Sequence, residues 1–213
     1  MTLPPPRRPR LAIAGGLLAA LVAILSTTGV LRGVDQYAVD HWMPWLQARH
    51  NPLVTFGGLT VPSFDPPAAH IASEIWLYPA AVLPSLLIVV VAGLRLSRRD
   101  ALAWVALWCA GNALELAGKL TLHRPHLYKH GRHVSIFDTS LPSGHTIRAF
   151  ILAAAVASAW RSGRLSLAWA ATTPFTLVVS GWHTPTDVAA GAFVALTLAA
   201  WAPTLDRRKV PSA

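Results

Sequence analysis

A histidine and an aspartate stand four residues apart in the segment His183-Thr-Pro-Thr-Asp187, a spacing that allows their side chains to act together in catalysis. If this segment is helical, the i, i+4 spacing lets Asp187 reach the imidazole of His183, and Pro185 suits a first helical turn. A carboxylate bonded to one ring nitrogen fixes the tautomer and leaves the other nitrogen free to attack an electrophile. The alternative is a His–Asp pair that only caps a helix.

A second polar segment, Pro142-Ser143-Gly144-His145, has the composition of an anion site at the start of a helix. Ser143 can cap the helix, and Gly144 leaves its backbone N–H open to close approach by a ligand. Arg148 would share a helix face with His145, and an arginine inside an apolar span is by default a functional candidate. The alternative is an ordinary N-cap followed by a histidine.

Lys119 and Arg124 add positive charge at the end of another apolar run. Arginine suits phosphate because its planar fork binds two oxygens at once. Glu115 stands one turn before Lys119, in the favourable order for a helical ion pair. A Glu–Lys pair that only extends to the membrane interface is the alternative.

Four histidines in the following segment raise the question of a metal site. They are His123, His126, His130 and His133. On one continuous helix they would share a face, but Pro125 and Gly131 argue against such a helix. We therefore predict no metal and no cofactor. The histidines are expected to be loop residues near an anionic ligand, whose attraction Lys129 and Arg132 increase.

The elements that position these residues are predicted to lie in a membrane. Of the 213 residues, 54% are hydrophobic and 13% are charged, and the mean hydropathy is +0.46. This composition is too apolar for an ordinary water-soluble domain. The net charge of +9 does not indicate a nucleic-acid partner, because the basic residues form short clusters between apolar runs. The single cysteine, Cys109, excludes an intramolecular disulfide and a cysteine-based zinc site.

Six apolar runs have lengths at or slightly below the roughly 20 residues that a spanning helix needs. They are Leu11 to Leu31, Ile75 to Leu94, Ala101 to Leu122, Thr146 to Trp160, Leu165 to Trp182 and Val188 to Ala202. The fourth and sixth runs are short. The pattern predicts an all-α, polytopic membrane helix bundle with about six transmembrane helices.

Basic clusters at every second connection predict the orientation of the bundle. They are Arg7, Arg8 and Arg10; Arg95, Arg98 and Arg99; Arg161 and Arg164; and Arg207, Arg208 and Lys209. Because Lys and Arg are enriched in cytoplasmic loops, both termini are predicted to be cytoplasmic and the three polar segments to lie at the outer ends of helices. The first apolar run also resembles a secretion signal, but it is longer than the usual 7 to 15 or so residues.

No internal repeat or domain boundary is visible, so residues 1–213 are predicted to form one domain with cytoplasmic tails at 1–10 and 204–213. The largest irregular region, residues 32–74, is predicted to lie on the outer face. It is either a structural cap over the bundle or a lid that admits a lipid tail. Its tryptophans and prolines suggest segments in the membrane interface. These are Trp42, Pro44, Trp45, Pro62, Pro66 and Pro67.

Together, the polar segments resemble the three motifs of the type 2 phosphatidic acid phosphatase family, which shares its active site with vanadium-dependent haloperoxidases. The middle motif, Pro-Ser-Gly-His, stands at residues 142–145, and His183, Asp187 and Gly191 match the end of the third motif. The resemblance covers Lys119 to Gly191, within a family-like core of about residues 75–203. Predicted spans with the motifs at one face resemble the membrane members of the family, whereas haloperoxidases are soluble.

The first motif departs from the family's spacing. The family places a lysine seven residues before the arginine of Arg-Pro, but Lys119 stands five residues before Arg124, and position 117 is alanine. If Lys119 keeps the family register, the arginine slot falls on His126. Arg124 is the better match, because a proline follows it.

The third motif departs more sharply. The family begins it with Ser-Arg, and these positions are Thr176 and Leu177 here. One phosphate-binding arginine is therefore missing. We predict that Arg148 supplies the missing charge from a different helix.

The resemblance implies hydrolysis of a phosphomonoester or diphosphate through a phosphohistidine on His183, with Asp187 orienting it and His145 protonating the leaving oxygen. The implied phosphate ligands are Arg124, Lys119, Ser143, Gly144 and Arg148. The expected substrate is amphiphilic, either a polyprenyl diphosphate or a phosphatidate-like lipid, at the extracytoplasmic face of a bacterial plasma membrane. A lipid-linked phosphotransferase and a catalytically silent lipid-binding protein are the alternatives.

Overall fold

Helices make up most of the protein in the computed structural model, which describes residues 8–43, 53–56, 59–62 and 68–202. The helices are α1 (Pro9–Thr27), α2 (Arg32–His41), α3 (Ala68–Leu77), α4 (Val82–Leu96), α5 (Arg98–Thr121), α6 (Gly144–Ala159), α7 (Arg164–Val179) and α8 (Pro185–Ala199). Two antiparallel hairpins pair β1 (Leu53–Phe56) with β2 (Leu59–Pro62) and β3 (Tyr128–Lys129) with β4 (Arg132–His133). The predicted all-α helix bundle is confirmed.

Helix α6 lies at the centre of the bundle and contacts α4, α5, α7 and α8. Ala149, Ala153 and Ala155 on this helix are completely buried. Such small side chains let neighbouring helices approach closely. Larger side chains, including Trp104 of α5 and Ile147 of α6, fill the apolar cluster between α4, α5, α6 and α8.

The outer helices expose large apolar side chains. Leu17 of α1 is 67% exposed, Leu87 of α4 is 65% exposed and Leu102 of α5 is 73% exposed. Extended apolar surface of this kind marks contact with a membrane or a partner. Together with the composition of the helices, it indicates an integral membrane protein whose outer surface faces lipid.

Helix length separates the candidate membrane spans from the shorter helices. Within the residues that the structure describes, two helices, α1 and α5, are long and apolar enough to cross a membrane. The segments Ala72–Ala80 and Val82–Leu96 form a third span if they are taken together across a 48° bend. The apolar helices α6 and α8 are shorter, as the fourth and sixth apolar runs predicted. The number of six spans remains a prediction.

Prolines account for the bend in the second predicted span. The sequence predicted one run over Ile75 to Leu94, but the 3₁₀ turn Tyr78–Ala80 separates α3 from α4. In a continuous helix the carbonyl of Ala80 would accept a hydrogen bond from the N–H four residues later, and Pro84 has none. The carbonyl of Ala80 is thus available to a donor from elsewhere in the bundle.

The region 32–74 is more regular than predicted, since it contains α2, the β1–β2 hairpin and the beginning of α3. On α2, Asp35, Ala38 and Val39 are buried on one side. This amphipathic helix was not predicted from the sequence, because a carboxylate interrupts its apolar stripe. Trp42 is 49% exposed, and Pro62 ends β2. Pro44, Trp45, Pro66 and Pro67 lie outside the described residues.

Two of the basic connections lie at the same end of the bundle. The guanidinium carbon of Arg95, in the last turn of α4, lies 5.6 Å from the centre of the Trp160 ring, just after α6. This contact agrees with the alternating pattern of basic clusters, and the polar segments stand at the opposite ends of α5 and α6. Arg7 and the cluster Arg207 to Lys209 lie outside the described residues.

The segment that begins α6 is fixed between α5 and α8 at two glycines. A Cβ on Gly191 of α8 would lie 2.6 Å from the carbonyl oxygen of Ser143, and a Cβ on Gly118 of α5 would lie 2.4 Å from Cδ of Pro142. The N–H of Ser143 also donates to the carbonyl of Asp187 at 2.9 Å. The second and third motifs are therefore joined through their backbones.

Replacing Gly191 with alanine should destabilise the protein by about 1–3 kcal/mol, because the obstacle to the new methyl group is backbone that cannot rotate away. Thermal unfolding of the detergent-solubilised protein measures the effect as a lower midpoint. Gly33→Ala on α2 is the matched control, since a Cβ there meets nothing within 4 Å and alanine favours helix. A Gly191→Ala protein that unfolds at the wild-type temperature would contradict the close contact.

Candidate active site

The His183–Asp187 pair forms at the start of α8. Nδ1 of His183 lies 3.3 Å from Oδ2 of Asp187, and the N–H of Thr184 donates to the same oxygen at 3.0 Å. Both ring and carboxylate are buried. Asp187 thus caps the helix and orients the imidazole at once, and the catalytic role of the pair remains a prediction. With Nδ1 directed at the carboxylate, Nε2 of His183 is the nitrogen with a free lone pair.

A buried hydrogen-bond network surrounds Arg124. Nε donates to the carbonyl of Phe137 at 2.7 Å. The terminal nitrogens donate to Oδ2 of Asp35 at 2.8 Å, to Oγ1 of Thr184 at 2.7 Å, and to Ser140 and Asp187. Nη1 also lies 3.3 Å from Oγ1 of Thr186, so six acceptors surround the five N–H donors of the guanidinium. Arg124 lies behind Asp187, where all of its donors have acceptors within the protein.

Asp35 of α2 is a member of this network that was not predicted from the sequence. Its Oδ2 accepts from Arg124 and, at 2.6 Å, from the hydroxyl of Thr186, while Oδ1 accepts from the backbone N–H of Thr186 at 3.1 Å. Burial raises the pKa of Asp35, and the bonds from Thr186 and the charge of Arg124 act in the opposite direction. The sequence does contain a signal for this residue. Asp35 stands three residues before Ala38 and four before Val39, so the three side chains share one helical face.

The start of α6 places the second motif beside His183. Oγ of Ser143 accepts from the N–H of Thr146 at 3.3 Å, which is the predicted N-cap. The ring centres of His145 and His183 are 6.3 Å apart. A Cβ on Gly144 would lie 1.8 Å from a carboxylate oxygen of Glu115. Only glycine lets that carboxylate approach the beginning of the helix so closely.

Glu115 joins two of the predicted phosphate ligands. Nζ of Lys119 lies 2.6 Å from its Oε1, and Nη1 of Arg148 contacts its Oε2. The side chain of Lys119 is 38% exposed, whereas that of Arg148 is 5% exposed. The Glu115–Lys119 pair is therefore not an isolated surface pair. The structure brings Lys119 and Arg148 together on one carboxylate, next to Gly144.

The bend between α3 and α4 helps to hold Arg148. Nε of Arg148 donates to the carbonyl of Ala80 at 2.7 Å, and Nη1 donates to Oδ1 of Asn112 at 2.9 Å. The Ala80 carbonyl is the one that Pro84 leaves without a helical donor. Within the described part of the chain, no hydrogen bond engages Nη2 of Arg148. Unlike Arg124, Arg148 keeps donor capacity for a ligand.

The position that carries the family's third-motif arginine has a different role here. Leu177 is completely buried, in an apolar cluster with Phe137 and Val178. Its carbonyl accepts from the N–H of Trp182 at 2.9 Å and from the N–H of His183 at 3.2 Å. The backbone at position 177 positions His183, and its side chain contributes packing in place of charge.

The loop between α5 and α6 brings two of the four histidines together. His126 and His133 both contact Asp138, whereas His123 and His130 are exposed and stand outside this group. His126 is the residue that falls on the arginine slot in the alternative register. It pairs with Asp138, and Arg124 occupies the network behind Asp187.

Known proteins resemble this chain at the level of family and fold. The family model described as the PAP2 superfamily matches residues 100–211. A search of curated proteins gave no match. Among solved structures, the chain is similar to the first transmembrane PAP2 type phosphatidylglycerolphosphate phosphatase from Bacillus subtilis, at 16% identity and a TM-score of 0.62, over 88% of this chain and 92% of that one. At this identity the likeness shows a shared fold.

The matched region includes most of α5 and all of α6, α7 and α8, and it contains every motif residue described above. Asp35 and the Ala80 carbonyl lie before it, so the segment outside the match also contributes contacts to the site. The chain belongs to the PAP2 superfamily and is an integral membrane phosphoric ester hydrolase.

Proposed function

We propose that the protein hydrolyses a phosphomonoester or diphosphate on an amphiphilic lipid, with His183 as the covalent nucleophile. The contact between Nδ1 of His183 and Asp187 carries the proposal, because it orients the ring and leaves Nε2 for attack. The second imidazole, His145, has its ring centre 6.3 Å away. A tetrahedral phosphoryl group between the two rings would contact both.

The reaction proceeds in two displacements. In the first, Nε2 of His183 attacks phosphorus, the P–N bond forms, the P–O bond to the lipid breaks, and His145 gives its proton to the leaving oxygen. In the second, His145 takes a proton from water, the water oxygen attacks phosphorus, and the P–N bond breaks to release phosphate. Asp187 stabilises the positive charge that the ring of His183 carries in the intermediate.

The phosphoryl oxygens are bound on the side away from Asp187. Lys119, the free Nη2 of Arg148, the hydroxyl of Ser143 and the N–H of Gly144 supply positive charge and hydrogen-bond donors there. The negative charge of the substrate also favours the protonated form of His145. Arg124 is a positioning residue in this proposal, because it acts on the substrate only through Asp187.

A lipid substrate fits the surroundings of Lys119. Its neighbours on α5, Leu116 and Leu120, are 59% and 68% exposed. A phosphate head group at Lys119 would leave its tail against this apolar surface, in the hydrocarbon of the membrane. Phosphatidylglycerolphosphate, named for the structural neighbour, is a lipid phosphomonoester of this class, and a polyprenyl diphosphate also fits. We place the site at the extracytoplasmic face of a bacterial plasma membrane.

The central experiment measures phosphate release by the purified protein from phosphatidate, phosphatidylglycerolphosphate and a polyprenyl diphosphate in detergent micelles. His183→Ala should lower turnover by about 10⁴-fold or more, because the nucleophile is lost. His145→Ala should lower it by about 10²–10⁴-fold, because general acid catalysis is lost. His123→Ala is the exposed-histidine control. Full activity of His183→Ala would exclude the covalent route, and phosphate transfer to an added alcohol in place of release would indicate a transferase.

Arg124→Lys and Asp35→Asn test the buried hydrogen-bond network around Arg124 that positions Asp187, called the positioning network below. Each removes part of the buried bonding that fixes Asp187, so kcat should fall about 10- to 100-fold with little change in KM. Each should also lower the thermal midpoint, since a buried polar group left without its hydrogen-bond partner costs about 1–3 kcal/mol. A raised KM with unchanged kcat for Arg124→Lys would show that Arg124 contacts the substrate directly.

Arg148→Ala tests the substitute for the missing third-motif arginine. A charge-assisted hydrogen bond contributes about 1.5–3 kcal/mol, so kcat/KM should fall roughly 10- to 150-fold. Arg95→Ala, which removes an exposed arginine at the opposite end of the bundle, is the control. Unchanged turnover and substrate affinity in Arg148→Ala would refute the assignment.

A further inference from the structure

A second cluster of titratable side chains lies outside the candidate active site, in the loop between α5 and α6. Nδ1 of His126 is 3.2 Å from Oδ1 of Asp138, and Nε2 of His133 is 3.0 Å from the same oxygen. All three atoms lie within 4.8 Å of one another. The candidate active site uses none of these side chains.

The distances from the two ring nitrogens to Oδ1 of Asp138, 3.2 and 3.0 Å, are close to those between metal ligands. A tetrahedral ion with bonds of about 2.0–2.1 Å holds neighbouring ligand atoms roughly 3.3 Å apart. The two ring nitrogens point at one carboxylate oxygen. A deprotonated imidazole nitrogen directs its lone pair along the line that its N–H would take, so both lone pairs are directed towards the carboxylate of Asp138.

The backbone holds the ligands in this arrangement. In the β3–β4 hairpin, His133 stands opposite Tyr128. The N–H of Val134 donates to the carbonyl of Leu127 at 2.9 Å, and Leu127 is 1% exposed. The hairpin thus returns His133 to the neighbourhood of His126. Pro125 and Gly131 argue against a continuous helix here, and the hairpin brings the two histidines together without one.

We propose that His126, His133 and Asp138 bind one Zn²⁺ or a similar divalent transition-metal ion, with water completing its coordination. Two imidazoles and a carboxylate form a ligand set suited to this class of ion. The ligand side chains are 59%, 36% and 25% exposed, which gives an ion access from solvent. This differs from the prediction of no metal, which considered only the placement of the histidines on one helix.

The ion would stabilise the loop that supplies the positioning network. His126 is two residues after Arg124, and Asp138 is two residues before Ser140, which accepts from Arg124 and donates to Asp187. A metal that joins His126 to Asp138 therefore fixes the loop close to Arg124 and Ser140, the two residues that the loop contributes to the network. It takes no part in phosphoryl transfer, so this inference is independent of the proposed function.

Zinc binding to the full chain in detergent, without a polyhistidine tag and after chelator treatment, tests the proposal by calorimetric titration. We expect one ion per chain in the wild type. His126→Ala and His133→Ala should each weaken binding at least about tenfold, as loss of a ligand should exceed the effect of losing a supporting contact. His123→Ala, an exposed histidine outside the group, should bind like the wild type.

Thermal unfolding provides a second readout, independent of activity. Zinc at roughly a hundred times its dissociation constant should raise the wild-type midpoint by about 5–10 °C. It should leave the midpoint of Asp138→Asn unchanged, while the midpoints measured without zinc show that each variant is folded. Absence of saturable binding in the wild type, or wild-type affinity in either histidine variant, would overturn the proposal.

Discussion

The buried guanidinium of Arg124 is the constraint on which the site depends. A charge removed from water is costly unless it is paired and hydrogen-bonded, and Arg124 meets that requirement only when separate parts of the chain have docked. Asp35 comes from α2, Ser140 from the loop before α6, and Asp187 from α8. The contacts that compensate this charge are also the contacts that fix the proposed nucleophile.

The charges around the two imidazoles are distributed unevenly. Behind His183, Asp35 and Asp187 share one guanidinium, so negative charge is in excess. Beside Gly144, Lys119 and Arg148 share the single carboxylate of Glu115, so positive charge is in excess. A phosphoryl group between the rings would have cations near its oxygens and carboxylates behind the nitrogen that becomes positive. This arrangement is preorganised for the proposed phosphohistidine.

The sequence predicted most of the long helices and the contact between His183 and Asp187, because long apolar runs and an i, i+4 spacing are local signals. It did not predict the partners of Arg124, because Asp35 is distant in sequence and resembles a break in an apolar stripe. Phosphate contacts were predicted for both Arg124 and Arg148, because the sequence shows only the residue type. Arg124 and Arg148 are chemically identical, and only their hydrogen-bond partners show which one has a donor left. The pairing of His126 with His133 depends on a hairpin whose strands have two residues each, which is too short to produce a recognisable alternating pattern in the sequence.

The docking of α2 also has a consequence for the order in which the protein matures. Asp35 bonds to Arg124, 89 residues later, and to Thr186, 151 residues later. During synthesis, which proceeds from the N-terminus, this aspartate leaves the ribosome well before either partner exists. Contacts of such high sequence separation form late, because the intervening chain must first be ordered. The helices can therefore be inserted and packed while the nucleophile is still unsupported, and activity should be among the last properties that the newly made chain acquires.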